Sequence, residues 1–112
     1  MYETVHTCDR ADQLIDSPTP VWLLKHSTAC NVSAWAMREF MAYLGTHPHE
    51  RGAVIVVQHH FRISERLAKR LHVRHESPQL LLVKKGRVLY STSHSQITAE
   101  TMAARRAVVT SA

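Results

Sequence analysis

Apolar positions along the chain fall into two kinds of run. Val21–Lys25 and Ala53–Val57 are almost continuous apolar stretches of strand length, the second rich in β-branched residues. Such runs predict strands buried on both faces. Between them the period changes. Over 31–44, Trp35, Met37, Phe40, Met41 and Leu44 recur at three- and four-residue spacing, which predicts a helix with those side chains inward. Gly45 and Pro48 are expected to stop it. A second helical pattern starts at Ser64, a residue suited to capping, with Leu67, Ala68 and Leu71 facing in. Shorter signals fill the rest. Tyr2–His6 reads as a strand and Asp9–Asp16 as a short helix, with Pro18 and Pro20 as a firm break. Gln79–Lys84 and Val88–Ser93 read as strands joined at Lys85-Gly86-Arg87, where Gly86 supplies the positive φ of a tight hairpin. Thr98 caps a last helix over Ala99–Ala107.

The predicted order is β-α-β-α-β-α-β-β-α. Strands alternating with helices require parallel crossovers, and the closing hairpin adds antiparallel strands. The fold class expected is α/β: a mixed central sheet of four to five strands flanked by helices, the thioredoxin-like arrangement. The 112 residues make one domain, 1–112, long enough to bury a core without disulfide or metal. No repeat, linker or low-complexity stretch interrupts it.

Charge changes this picture little. Fourteen Lys and Arg oppose nine Asp and Glu, giving +5 with His neutral. A basic surface favours anionic partners, but it also serves plain solubility. The densest basic stretches, Lys84-Lys85-Gly86-Arg87 and Arg105-Arg106, are not interleaved with stacking aromatics, so no nucleic-acid partner is expected. No apolar run approaches the ~20 residues of a membrane span, and no membrane partner is expected. The first 20 residues carry Glu3, Asp9, Asp12 and Asp16 and no apolar core of a secretory signal, so the expected location is cytoplasmic. Cytoplasmic chains of this size rarely keep a structural disulfide, which leaves Cys8 and Cys30 as free thiols to be judged by their surroundings.

Cys30 stands at the junction of a buried strand and a helix. There its sulfur faces the free N–H groups of Asn31, Val32 and Ser33 and the positive end of the helix. Both stabilise a thiolate, the form that attacks a disulfide. Cysteine is a poor N-cap by preference, so its presence there calls for another reason than capping. The motif is Cys30-Asn31-Val32-Ser33, a C-x-x-S. Ser33 can donate a hydrogen bond to the sulfur but cannot form a disulfide with it. A mixed disulfide on Cys30 would therefore have no resolving thiol at this spacing. Ser77-Pro78 precedes the next buried strand, one helix after the second parallel strand. That is where a thioredoxin-like fold carries a cis-proline loop facing the reactive Cys, although trans is the commoner state of an X–Pro bond.

Three segments together resemble one family. Lys25-His26-Ser27-Thr28-Ala29-Cys30-Asn31-Val32-Ser33 is similar to the K-H-S-T-x-C-P-I-S segment of the YtxJ-like monothiol bacilliredoxins. His75-Glu76-Ser77-Pro78-Gln79 matches that family's H-E-S-P-Q, and Ser93-His94-Ser95-Gln96-Ile97-Thr98 resembles its S-H-x-x-I-T ending. Arg62-Ile63-Ser64 resembles the opening of its next-to-last helix. The similarity runs over about residues 3 to 102. It implies thiol–disulfide exchange at Cys30 that removes bacillithiol from S-bacillithiolated proteins. Asn31, Val32 and Ser33 would stabilise the thiolate, Thr28, Ser77 and Pro78 would meet the substrate, and His26 and His75 would flank the site. It implies no cofactor, with bacillithiol as thiol co-substrate, and a second bacillithiol or a dithiol reductase as the partner that frees Cys30. Two departures stand out: Asn31 replaces the family's usual proline, and Ser95 stands where its ending often has Trp.

Other readings compete. The chain could be a redox-inert binding or adaptor module that uses the Pro78 groove for peptides. A thiol pKa near the ordinary 8.5 would favour that reading, and one well below it favours exchange. An iron–sulfur glutaredoxin is disfavoured because Asn31-Val32 stands in place of the Gly-Phe of C-G-F-S. Cys8 could resolve Cys30 only if the first strand moved. The two strands are expected to lie roughly 10 Å apart, whereas a disulfide needs Cα atoms within about 7 Å. His47, His49, His59, His60, His72 and His75 show no zinc spacing, so no metal is expected. Trp22 and Trp35 read as core.

Overall fold

A computed structural model describes residues 2–111. Five strands and four helices alternate in the expected order. β1 is Tyr2–Thr4, α1 Cys8–Ile15, β2 Val21–His26, α2 Asn31–Gly45, β3 Arg51–Val56, α3 Phe61–Leu71, β4 Gln79–Lys84, β5 Arg87–Ser93 and α4 Ala99–Ser111, with a 3-10 turn at His94–Gln96 before α4. The sheet order is β1-β3-β2-β4-β5. β1, β3 and β2 are parallel, β4 runs antiparallel to β2, and β5 antiparallel to β4.

Side chains alternate across the central strands and so divide the core in two. Val21, Leu23, Ala53, Ile55, Leu81 and Val83 point to the face covered by α1 and α3, where they meet Ala11, Leu14, Ile15, Ile63, Leu67 and Leu71. Trp22, Leu24, Val54, Leu80 and Leu82 point to the other face, against Ala36, Phe40, Tyr43 and Leu44 of α2 and Met102 of α4. A continuous apolar run is thus two interleaved half-runs, one for each helical layer. No helix among the described residues is long and apolar enough to cross a membrane.

Several expectations are corrected. α3 begins at Phe61, three residues before Ser64, because a turn at His59 and His60 returns two N–H groups to the Val56 carbonyl and starts the helix early. Ser64 is consequently a buried helix residue and caps nothing. α2 buries Ser33, Ala36, Phe40, Tyr43 and Leu44, while Met41 is exposed and Trp35 only half-buried. Gly45 is the last residue of α2 and has no positive φ. The Thr46 hydroxyl closes the helix by donating to the Tyr43 carbonyl at 3.0 Å. α4 continues to Ser111. The hairpin turn is Lys85-Gly86, with φ of 51° and 77°. Positive φ at both central residues is the twist that matches two antiparallel strands.

Candidate functional site

β2 delivers the chain into the loop 27–29 and then into α2 at Cys30. Antiparallel pairing sets Lys25 opposite Gln79. The end of β2 therefore lies beside the start of β4, and the Cys30 loop and the Ser77-Pro78 loop leave the same edge of the sheet. The Ser77-Pro78 bond is cis and Pro78 is buried. Past β5, the His94 N–H donates to the Pro78 carbonyl at 3.1 Å, and His94 Nε2 is 2.6 Å from Glu76 Oε2. Three segments far apart in sequence thus gather at one end of the sheet, the first two by strand register and the last two by hydrogen bonds.

Cys30 is the N-cap of α2, with extended backbone, and is partly exposed. It closes no full capping hydrogen bond, yet its thiol pKa lies below the ordinary value. The largest cause is the Ser33 N–H, then the Val32 N–H; slight desolvation opposes them, and the Ser33 hydroxyl adds to the lowering. This is the geometry of an N-cap, whose side chain faces the amides two and three residues on. Asn31 is the first helical residue, and its N–H is not among the groups that act on the sulfur. The expected trio of amides is a pair. Ser33 is fully buried, and its Oγ also accepts from the Ser27 N–H at 3.3 Å. One hydroxyl therefore braces the loop and addresses the sulfur.

The groups that lower the Cys30 pKa are those of Val32 and Ser33, and neither His26 nor His75 is among them. His26 carries a buried Nδ1 without a partner among the described residues, and Ser77 Oγ is in the same state. His75 has its pKa lowered by burial first and by the Lys25 charge second, with Glu76 opposing. Its ring lies on the α1/α3 side, in a groove with Cys8. Thr28 is exposed, and its N–H donates to Gln58 Oε1 at 3.3 Å.

Three residues of the site lie outside the sequence reading. Gln58 holds the Cys30 loop from the β3–α3 connection, donating from Nε2 to Ser27 Oγ at 2.6 Å and accepting from Thr28. A lone polar residue after an apolar strand carries no signal of that role. Lys25 is fully buried, and its Nζ donates to Gln79 Oε1 at 2.9 Å. Gln79 Nε2 in turn donates to the Arg74 carbonyl at 2.9 Å, so the pair closes the loop 74–79 against β2. Both residues lie inside the recognised motifs, but only the cross-strand register makes them partners. Among the described residues no group of three or more His, Cys, Asp or Glu is placed to hold a metal ion.

A parallel–antiparallel sheet with a helix-capping thiol beside a cis-proline loop, and Ser where a second Cys would stand, defines a single-thiol protein of the thioredoxin fold. Comparison with solved structures agrees. A chain described as a candidate oxidoreductase with a thioredoxin fold superposes with a TM-score of 0.87 at 28% identity, over 94% of this chain and 93% of that one. Thioredoxin from Trypanosoma brucei brucei gives 0.78 at 11% identity over 97% and 90%, and that of Malassezia sympodialis 0.74 at 13% over 95% and 89%. These last two share the fold alone. The family of monothiol bacilliredoxin BrxC matches residues 3–102, and this chain belongs to it.

Proposed function

We propose that this protein removes bacillithiol from S-bacillithiolated proteins through Cys30, in the cytoplasm. The Cys30 thiolate attacks the bacillithiol sulfur of the mixed disulfide. The S–S bond to the client breaks, the client leaves as a thiolate that takes up a proton, and Cys30 is left joined to bacillithiol. A second bacillithiol, or a dithiol reductase, then attacks the bacillithiol sulfur of the new Cys30 disulfide, takes that bacillithiol into its own disulfide and returns Cys30 to its thiolate. The reading rests on one observation above all: a partly exposed sulfur whose pKa is lowered by the Ser33 and Val32 amides. Those amides stabilise sulfur anion both as nucleophile and as leaving group. The direction of that shift favours exchange over a redox-inert adaptor. Family membership supports the thiol chosen. The exposed Thr28 and the Ser77-Pro78 edge are the surfaces against which an extended disulfide would lie, with the unpartnered Ser77 Oγ and His26 Nδ1 as groups it could engage.

Incubation with a bacillithiolated protein should transfer one bacillithiol to Cys30, seen as an intact-mass gain that Cys30→Ala abolishes. Equal transfer by wild type and Cys30→Ala would reject the reading.

A further inference from the structure

On the α1/α3 side of the sheet lies an open groove of about 810 Å³, separate from the Cys30 loop, which contributes no residue to it. Cys8, in the first turn of α1, lines it and is partly exposed. α3 supplies the opposite wall with Arg62, Arg66 and Lys69 against one carboxylate, Glu65. Arg66 is bound to Asp12 at 2.7 Å and lines the groove beside Cys8. Arg62 and Lys69 have no ion-pair partner among the described residues. Ser64 also lines the groove. It is 2% exposed, and its Oγ is buried without a hydrogen-bond partner. A buried hydroxyl with no hydrogen bond is unfavourable, so the floor of the groove is short of one polar guest.

A thiol, a cationic wall and an orphan hydroxyl are three complements of one ligand class. We propose that Cys8 is a second thiolation site, which takes up an anionic low-molecular-weight thiol from its disulfide. Cys8 loses its proton to solvent and its thiolate attacks one sulfur of the disulfide. The disulfide bond breaks, a Cys8 mixed disulfide forms, and the other half leaves as a thiolate that is protonated in turn. Cys8 is oxidised and the small disulfide reduced. The carboxylate of the bound half lies in the field of Arg62 and Lys69, and the Ser64 hydroxyl donates to it. Cys8 opens α1, and no residue of the Cys30 loop lines its groove, so the adduct forms a site of its own.

The test uses the Cys30→Ser chain, so that its outcome is independent of the role given to Cys30. The folded protein is treated with dithiodipropionate, hydroxyethyl disulfide or cystamine, which are anionic, neutral and cationic. Adducts are read by intact mass and mapped to Cys8. Each rate is divided by that of the same reagent on the urea-unfolded chain, which cancels differences between leaving groups. The normalised order expected is anionic above neutral above cationic. Arg62→Gln with Lys69→Gln removes two charges at ~8 Å from the guest, about two- to threefold each at low salt. That double variant should lower the anionic rate about fivefold and raise the cationic one. Ser64→Ala, a change an exposed or buried helix position tolerates, should slow the anionic reagent alone. Equal normalised rates for the three reagents, a preference for cystamine, or a charge order untouched by the double variant would overturn the proposal.

Discussion

Ser33 performs two tasks with one oxygen. It receives the Ser27 N–H and it lowers the Cys30 pKa. Replacing Ser33 with Ala removes the hydroxyl and keeps the amide, which is the larger of its two contributions. The thiol pKa should rise, but not to that of a thiol without amides. Thiolate absorbance titrated against pH measures this directly, and an unchanged midpoint would show that the hydroxyl is only structural. Asn31 stands at the position where the family motif carries proline. Because its N–H does not act on the sulfur, the missing proline leaves the amide pair intact. The C-x-x-S spacing was readable in the chain itself, since helix geometry dictates which amides face an N-cap. That Ser27 and Gln58 brace the same loop was not, because Gln58 arrives from the connection after β3.

α2 packs on β3 through a point where no side chain fits. A Cβ at Gly52 would overlap Leu44 Cδ1 and lie 3.0 Å from Phe40 Cζ. Both neighbours are buried core side chains, so an added methyl must displace them within a packed layer. Gly52→Ala should destabilise the fold by about 1–3 kcal/mol, the usual cost of overpacking, measured as a lower urea midpoint at unchanged slope. The next residues along this seam make a polar knot. Trp22 Nε1 donates to Glu50 Oε1 at 2.8 Å and the Tyr43 hydroxyl to Glu50 Oε2 at 2.6 Å. Burial first and the Glu50 hydrogen bond second raise the Tyr43 pKa, so the phenol stays neutral and donating. Across the sheet, α1 and α3 are joined by Asp12 to Arg66 and Arg70, and by Asp16 to Arg70. The apolar periods predicted these helices, but not their ends. A helix starts where a preceding turn offers carbonyls and stops where an acceptor is captured, as at Thr46 or at the left-handed His72. Those are matters of loop geometry that period alone does not encode.

Lys25 links the two functional loops and exacts a cost for doing so. Burial is the main cause that lowers its pKa from 10.5 to about 8, with Glu76 opposing. The unfolded chain holds this proton up to the ordinary lysine value, while the folded chain releases it near 8. Between these values the unfolded state binds more protons, so stability rises with pH as the penalty is relieved. Below about 8 the penalty is complete, at most about 3.5 kcal/mol by the ~1.4 kcal/mol each pKa unit represents. Lys25→Met leaves Gln79 Oε1 without its donor but abolishes this dependence. Between pH 7 and 9.5 the wild type should gain about 2 kcal/mol over the variant in urea melts. Parallel curves would mean that Lys25 reaches water in the folded state.

Local pattern was enough to set the element order, the layered core, the hairpin and the thiol at a helix mouth, because alternation, helical period and capping are properties of neighbouring residues. Burial of a lysine, the Lys25–Gln79–Arg74 tie, the Gln58 brace and the gathering of Cys8, Ser64 and His75 around one groove came from strand order and register. Each joins residues that are distant along the chain, and a single shift of register would place them on opposite faces of the sheet.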